Sequence, residues 1–83
     1  MSAESTSIET TITGVWREFF ADAPVEPDSD FFGLGGDSVK MMDMLFRVSE
    51  LTGVELNPGA LYENPTLRQF AAVVAGSLEQ TFA

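Results

Sequence analysis

The sequence predicts an all-α fold: a four-helix bundle of three main helices and one short one, with a long first loop. Three observations predict it. Apolar residues recur at helical spacing in three separate stretches of the chain. Glycine, proline and asparagine punctuate the chain where those stripes break. No convincing hairpin, internal repeat or low-complexity tract is present.

The first helix is expected from about Ser7 to Ala21, with Ser5 or Thr6 capping its start. Ile8, Ile12, Val15, Trp16 and Phe19 form its apolar stripe. Gly14 weakens its interior by about 1 kcal/mol relative to alanine. From Asp22 to Asp37 the stripe is lost among Pro24, Pro27, Gly33, Gly35 and Gly36. Connections this long in a small domain are often functional. Phe31, Phe32 and Leu34 lie within it and are expected to pin it onto the helices.

A second helix is expected to start at Asp37 or Ser38, either of which can cap, and Asp37 suits the positive helix end. It runs to about Thr52, where Gly53 is a good stop. Met41, Met44, Leu45, Val48 and Leu51 suffice for a core face. Val39, Met42 and Phe46, three and four residues apart, form a second apolar stripe that is either wrapped by other helices or a contact surface. Val54-Glu55-Leu56 reads as extended, and Asn57-Pro58 opens a short helix whose Leu61 and Tyr62 face inward. Asn64-Pro65 breaks the chain again, and Thr66 with Gln69 makes a capping box for the last helix. That helix carries Leu67, Phe70, Val73, Val74 and Leu78 at helical spacing.

Length and composition bound what such a bundle can be. With 83 residues the chain is one domain, 1–83, with 1–6 and 79–83 expected to fray as tails. At 45% hydrophobic and 11% aromatic it is too apolar for a disordered tail, despite a net charge of −9. It has no cysteine and no histidine, which excludes disulfides, His- or Cys-based metal sites and a Ser-His-Asp triad. Acidic residues number 13 against 4 basic ones, so nucleic acid and anionic membrane are poor partners and basic proteins are favoured. The N-terminus lacks a signal-peptide pattern and no apolar run reaches membrane-spanning length, so a cytoplasmic protein is expected.

Residues Gly33 to Ser38 test several motifs. A dinucleotide loop needs a third glycine where Ser38 stands, and a P-loop needs Lys-Ser or Lys-Thr directly after its last glycine, where Asp37-Ser38 stands. A hydrolase elbow fails at Lys40. A calcium loop starting at Asp28 fails at Phe32 and Val39. What remains is a serine on a glycine-rich corner at a helix start. The glycines strip away side chains, so a partner's active site can approach the hydroxyl. The helix N-terminus favours a phosphate there. A lone serine cannot activate itself, so Ser38 is either a helix cap or the substrate of another protein.

Asp30-Phe31-Phe32-Gly33-Leu34-Gly35-Gly36-Asp37-Ser38 resembles the signature of phosphopantetheine-dependent carrier domains, the peptidyl and acyl carriers. Gly53-Val54-Glu55-Leu56 and Leu61-Tyr62-Glu63-Asn64-Pro65-Thr66-Leu67 are similar to that family's run into its third and fourth helices, so the likeness spans roughly residues 10 to 78. The resemblance implies a non-catalytic carrier. Ser38 would receive 4′-phosphopantetheine from coenzyme A through a separate transferase, and the arm would hold acyl or aminoacyl cargo as a thioester. Asp37 would assist the transferase. Val39, Met42, Asp43 and Phe46 match positions where the family meets its partners, and Leu34, Leu61 and Tyr62 would extend the patch. Those partners are the transferase, an adenylating or acyl-loading enzyme, and downstream condensing or tailoring enzymes.

The paired glycines, Phe31-Phe32 and Asn64-Pro65-Thr66-Leu67 lean towards a peptidyl carrier of nonribosomal peptide synthesis. Asp37 before the serine and the net charge of −9 lean towards a polyketide-type acyl carrier. The peptidyl reading is favoured, as a free-standing monomer in specialised metabolism. An unmodified helical adaptor using the same acidic surface and Met42/Phe46 stripe is the alternative of another class.

Overall fold

A computed structural model describes the backbone of residues 2–82 and the side chains of residues 7–78. It contains four helices in chain order, α1 (Ser2–Phe19), α2 (Ser38–Thr52), α3 (Pro58–Glu63) and α4 (Leu67–Phe82), as the apolar spacing requires. The described residues include no named strand, only an isolated bridge between Asp30 and Thr66. α1 packs chiefly against α4 and then α2, while α3 spans α2 and α4.

The helix limits follow local chemistry. α1 begins at Ser2, so Ser5 and Thr6 lie inside the helix rather than at its cap. No glycine or proline interrupts residues 2–13. α1 ends at Phe19, short of the expected Ala21, because the chain turns towards Pro24 with the Ala23 amide donating to the Phe20 carbonyl. Gly53 ends α2 in the left-handed region, φ 78°, donating to the Ser49 carbonyl. Asn57 caps α3 ahead of Pro58. Thr66 and Gln69 form the reciprocal capping box, with the Gln69 amide donating to Thr66 Oγ1 at 3.2 Å and the Thr66 amide donating to Gln69 Oε1 at 3.3 Å.

The core is filled by Ile12, Val15, Trp16 and Phe20 from α1 and its end, Met41, Met44, Leu45 and Val48 from α2, and Leu67, Phe70, Ala71 and Val74 from α4. Phe20, rather than Phe19, continues the inward stripe, since it lies four residues after Trp16, as Trp16 does after Ile12. Leu51 departs from its expected core role: it is half-exposed in the last turn of α2, and Val54 turns inward beyond Gly53 instead. Val73 is only half-buried.

The long loop is pinned as its aromatics suggest. Phe31 is fully buried, edge-on to Trp16 (5.2 Å) and Phe20 (5.0 Å). Backbone bonds tie the loop to the start of α4. The Phe31 amide donates to Pro65, and the Leu67 and Arg68 amides donate to the Ser29 and Pro27 carbonyls. These use up first-turn donors of α4 that would otherwise lack acceptors. The loop therefore reaches α2 from a fixed base.

Candidate functional site

Ser38 sits where this pinned loop meets α2. Asp37 is the cap: its backbone is extended (φ −134°, ψ −174°) and its Oδ1 accepts the Lys40 amide at 2.9 Å. Ser38 is therefore the first helical residue, and capping does not occupy its hydroxyl. The residue is exposed, and its hydroxyl has no hydrogen-bond partner among the described residues. The amides of Ser38 and Val39 also lack an acceptor there, the first ladder bond of α2 being Met41 amide to Asp37 carbonyl at 2.8 Å. A free hydroxyl and two free donors thus share one helix end.

The glycine corner places that end. Asp30 Oδ1 accepts the Phe32 and Gly33 amides, each at 2.9 Å, closing a tight turn. Gly35 then adopts φ 107°, which L side chains rarely allow. Gly36 donates its amide to the Phe31 carbonyl at 3.0 Å and lies against the Phe31 ring. Open access to Ser38 is thus only part of the reason for glycine here. Gly35 is needed for its backbone angle and Gly36 for its closeness to Phe31.

The other residues singled out by sequence divide. Val39 (71% exposed), Met42 (52%) and Phe46 (67%) share one outward face of α2, with exposed Asp43 beside them and Asp37 at the helix start. Leu34 is half-buried against the core edge. Tyr62 is 57% exposed rather than inward, and its ring stacks on Phe32 at 5.2 Å with 7° between the planes. Leu61 does not join any surface patch. It is 0% exposed, because the short α3 turns this side chain into the core as its anchor. Two positions not singled out by sequence belong beside the stripe: Leu56 and Glu55 line a shallow groove of about 290 Å³ with Met42, Leu45, Phe46 and Ser49. They follow Gly53, outside the α2 periodicity, so spacing carries no signal for them.

The family described as phosphopantetheine attachment site matches residues 10–74. The chain belongs to this family. Carrier domains of this kind hold 4′-phosphopantetheine covalently and are generally non-catalytic themselves. Among relatives, tyrocidine synthase 3 of Brevibacillus parabrevis is 36% identical over 76 residues, covering 92% of this chain and 1% of the synthase. Phosphinothricin tripeptide synthetase PhsB of Streptomyces viridochromogenes is 36% identical over 73 residues, covering 88% of this chain and 6% of that protein. The carrier domain is thus similar to a small part of much longer peptide synthetases.

Among solved structures, the carrier domain resembles BlmI, a type-II acyl-carrier-protein from Streptomyces verticillus involved in bleomycin biosynthesis. The TM-score is 0.86 with 30% identity, covering 93% of both chains. A docking-domain complex of the Pax synthetase has the same fold, with a TM-score of 0.81 and 21% identity, covering 92% of this chain and 73% of that one. No helix among the described residues is long and apolar enough to cross a membrane.

Proposed function

We propose that Ser38 is the attachment point of the 4′-phosphopantetheine arm and that this chain carries aminoacyl or acyl intermediates in nonribosomal peptide or related natural-product synthesis. The observation that carries the assignment is the division of labour at the α2 N-terminus. Asp37 does the capping, which leaves the Ser38 hydroxyl exposed and unbonded. The residues fit the group. A phosphodiester on Ser38 would lie beside the unpaired amides of Ser38 and Val39, at the positive end of a fifteen-residue helix. The bound arm supplies a terminal thiol that this cysteine-free chain lacks. The chain presents the serine and a docking surface, and separate enzymes do the chemistry.

Val39, Met42, Asp43 and Phe46 form that docking surface, with Leu56 and the groove at one side and Tyr62 as an outlying platform. Exposed apolar side chains at helical spacing suit an apolar partner contact. The chain's net charge of −9 suits a basic partner. The partners in this reading are a phosphopantetheinyl transferase, an adenylating or acyl-loading enzyme, and condensing or tailoring enzymes, all in the cytoplasm. In this reading the chain is one carrier domain and acts as a monomer. The peptide-synthetase relatives favour aminoacyl cargo. Likeness to a type-II acyl-carrier-protein over 93% of both chains supports acyl cargo as a second reading.

The test is intact-protein mass after incubation with coenzyme A, magnesium and a promiscuous phosphopantetheinyl transferase, with Ser38→Ala as control. Gain of one phosphopantetheinyl group in the parent alone is the expected result. No gain, with a known carrier modified alongside, would leave an unmodified helical adaptor as the better reading. Charging of the modified protein by an adenylating enzyme with amino acids separates the peptidyl from the acyl carrier.

A further inference from the structure

Three methionines lie within one turn of α2, and the fold treats them very differently. Met41 and Met44 are buried, at 3% and 0% exposure. Met42 between them is 52% exposed and lines the groove with Leu45, Phe46 and Leu56. We infer that Met42 is a peroxide-sensitive modification site, and that its oxidation to the sulfoxide weakens docking on the α2 face. The docking half of this inference rests on the carrier reading above.

The chemistry is a two-electron oxygen transfer. A lone pair on Met42 Sδ attacks one oxygen of a hydroperoxide, here hydrogen peroxide. An S–O bond forms, the O–O bond breaks, and the departing hydroxide takes the proton of the sulfur-bound hydroxyl, leaving as water and completing the sulfoxide. Sulfur is oxidised by two electrons and the peroxide is reduced by two. Exposure decides which thioether reacts, because peroxide must reach the sulfur. Met41 and Met44 are shielded unless the bundle opens, and the chain has no cysteine to intercept the oxidant. The product replaces a flexible apolar group by a strong S=O dipole. On a half-exposed side chain that dipole stays hydrated in the free protein. It loses water only when a partner covers the groove, so the penalty falls on association rather than on folding.

The test uses the chain before phosphopantetheine attachment, treated with hydrogen peroxide, alongside Met42→Leu treated identically. Peptide mass mapping is expected to show one oxygen gained at Met42 while Met41 and Met44 remain unmodified. Circular dichroism is expected to stay unchanged. With a promiscuous transferase and coenzyme A, the KM for the oxidised protein is expected to rise at least about fivefold, or about 1 kcal/mol, with kcat little changed. Methionine sulfoxide reductase should restore the original KM, and the KM of Met42→Leu should not change on peroxide treatment relative to its own untreated form. Oxidation of Met41 or Met44 as fast as Met42, loss of helicity on oxidation, or an unchanged KM would each overturn the inference. If untreated protein accepted no phosphopantetheine at all, the carrier reading would fall and the docking half with it. The mapping would still decide the selectivity of Met42.

Discussion

Gly36 lies so close to Phe31 that a β-carbon at position 36 would fall 2.4 Å from two carbons of that ring and 2.7 Å from its carbonyl oxygen. Ring carbons of a fully buried phenylalanine cannot swing aside, since Trp16 and Phe20 hold Phe31 from the core side. Gly36→Ala should therefore destabilise the bundle by about 1–3 kcal/mol, the usual cost of overpacking. Urea unfolding would measure it. Because Gly36 precedes Asp37 and Ser38, the same variant should also slow phosphopantetheine attachment under conditions where it is still folded. Wild-type stability would show that the corner is free to open.

Asp37 and Ser38 are adjacent but should respond oppositely. Asp37→Ala removes the side chain that accepts the Lys40 amide, so it should cost about 1 kcal/mol of stability. Ser38→Ala removes a hydroxyl with no partner among the described residues, so stability should stay within about 0.5 kcal/mol of wild type while attachment of the arm is abolished. Thermal unfolding and intact mass on both variants provide the check. A stability loss at Ser38 equal to that at Asp37 would make the serine a second cap.

Much of this arrangement was legible because short-range chemistry dictates it. Gly53, Asn57-Pro58 and Thr66 with Gln69 act within four residues of themselves, and each stops or starts a helix as its side chain requires. What escaped depends on neighbours distant in sequence. Leu51 matches the core stripe of α2, yet it lies in the helix's last turn and is half-exposed, so periodicity overstates its burial. Leu61 and Tyr62 are consecutive and both apolar in character. Only the placement of α3 between α2 and α4 sends one into the core and the other onto Phe32. At Ser38 the residue type and its helix start were readable. The choice of Asp37 over Ser38 as cap needed backbone angles.

The outward stripe and the inward anchor make a second contrast. Phe46→Glu changes a side chain that is 67% exposed, so stability should move by no more than about 0.5 kcal/mol. Its kcat/KM with the transferase should fall, since the proposed docking surface would carry a charge in place of an apolar side chain. Leu61→Ala empties a fully buried site and should cost about 2–5 kcal/mol. Circular dichroism melts, run beside the transferase assay, separate the two. Unfolding by Phe46→Glu would move Phe46 from the docking surface to the core.

Tyr62 and Phe32 are predicted to act as a pair. Their rings are nearly parallel, and Phe32 in turn meets Phe31 edge-on at 5.5 Å, so the stack joins α3 to the buried end of the loop. Such ring pairs contribute about 0.5–1.5 kcal/mol beyond the area they bury. Tyr62→Ala should lose that amount, and Tyr62→Phe should keep it, because the contact uses the ring face and not the hydroxyl. A double-mutant cycle with Phe32→Leu isolates the coupling from the separate costs of truncation. A coupling near zero would mean that Leu61 alone anchors α3 and that the stack merely fills space on the surface. A coupling in the aromatic range would mean that the orientation of α3 beside the proposed docking face is set from the same loop that sets Ser38.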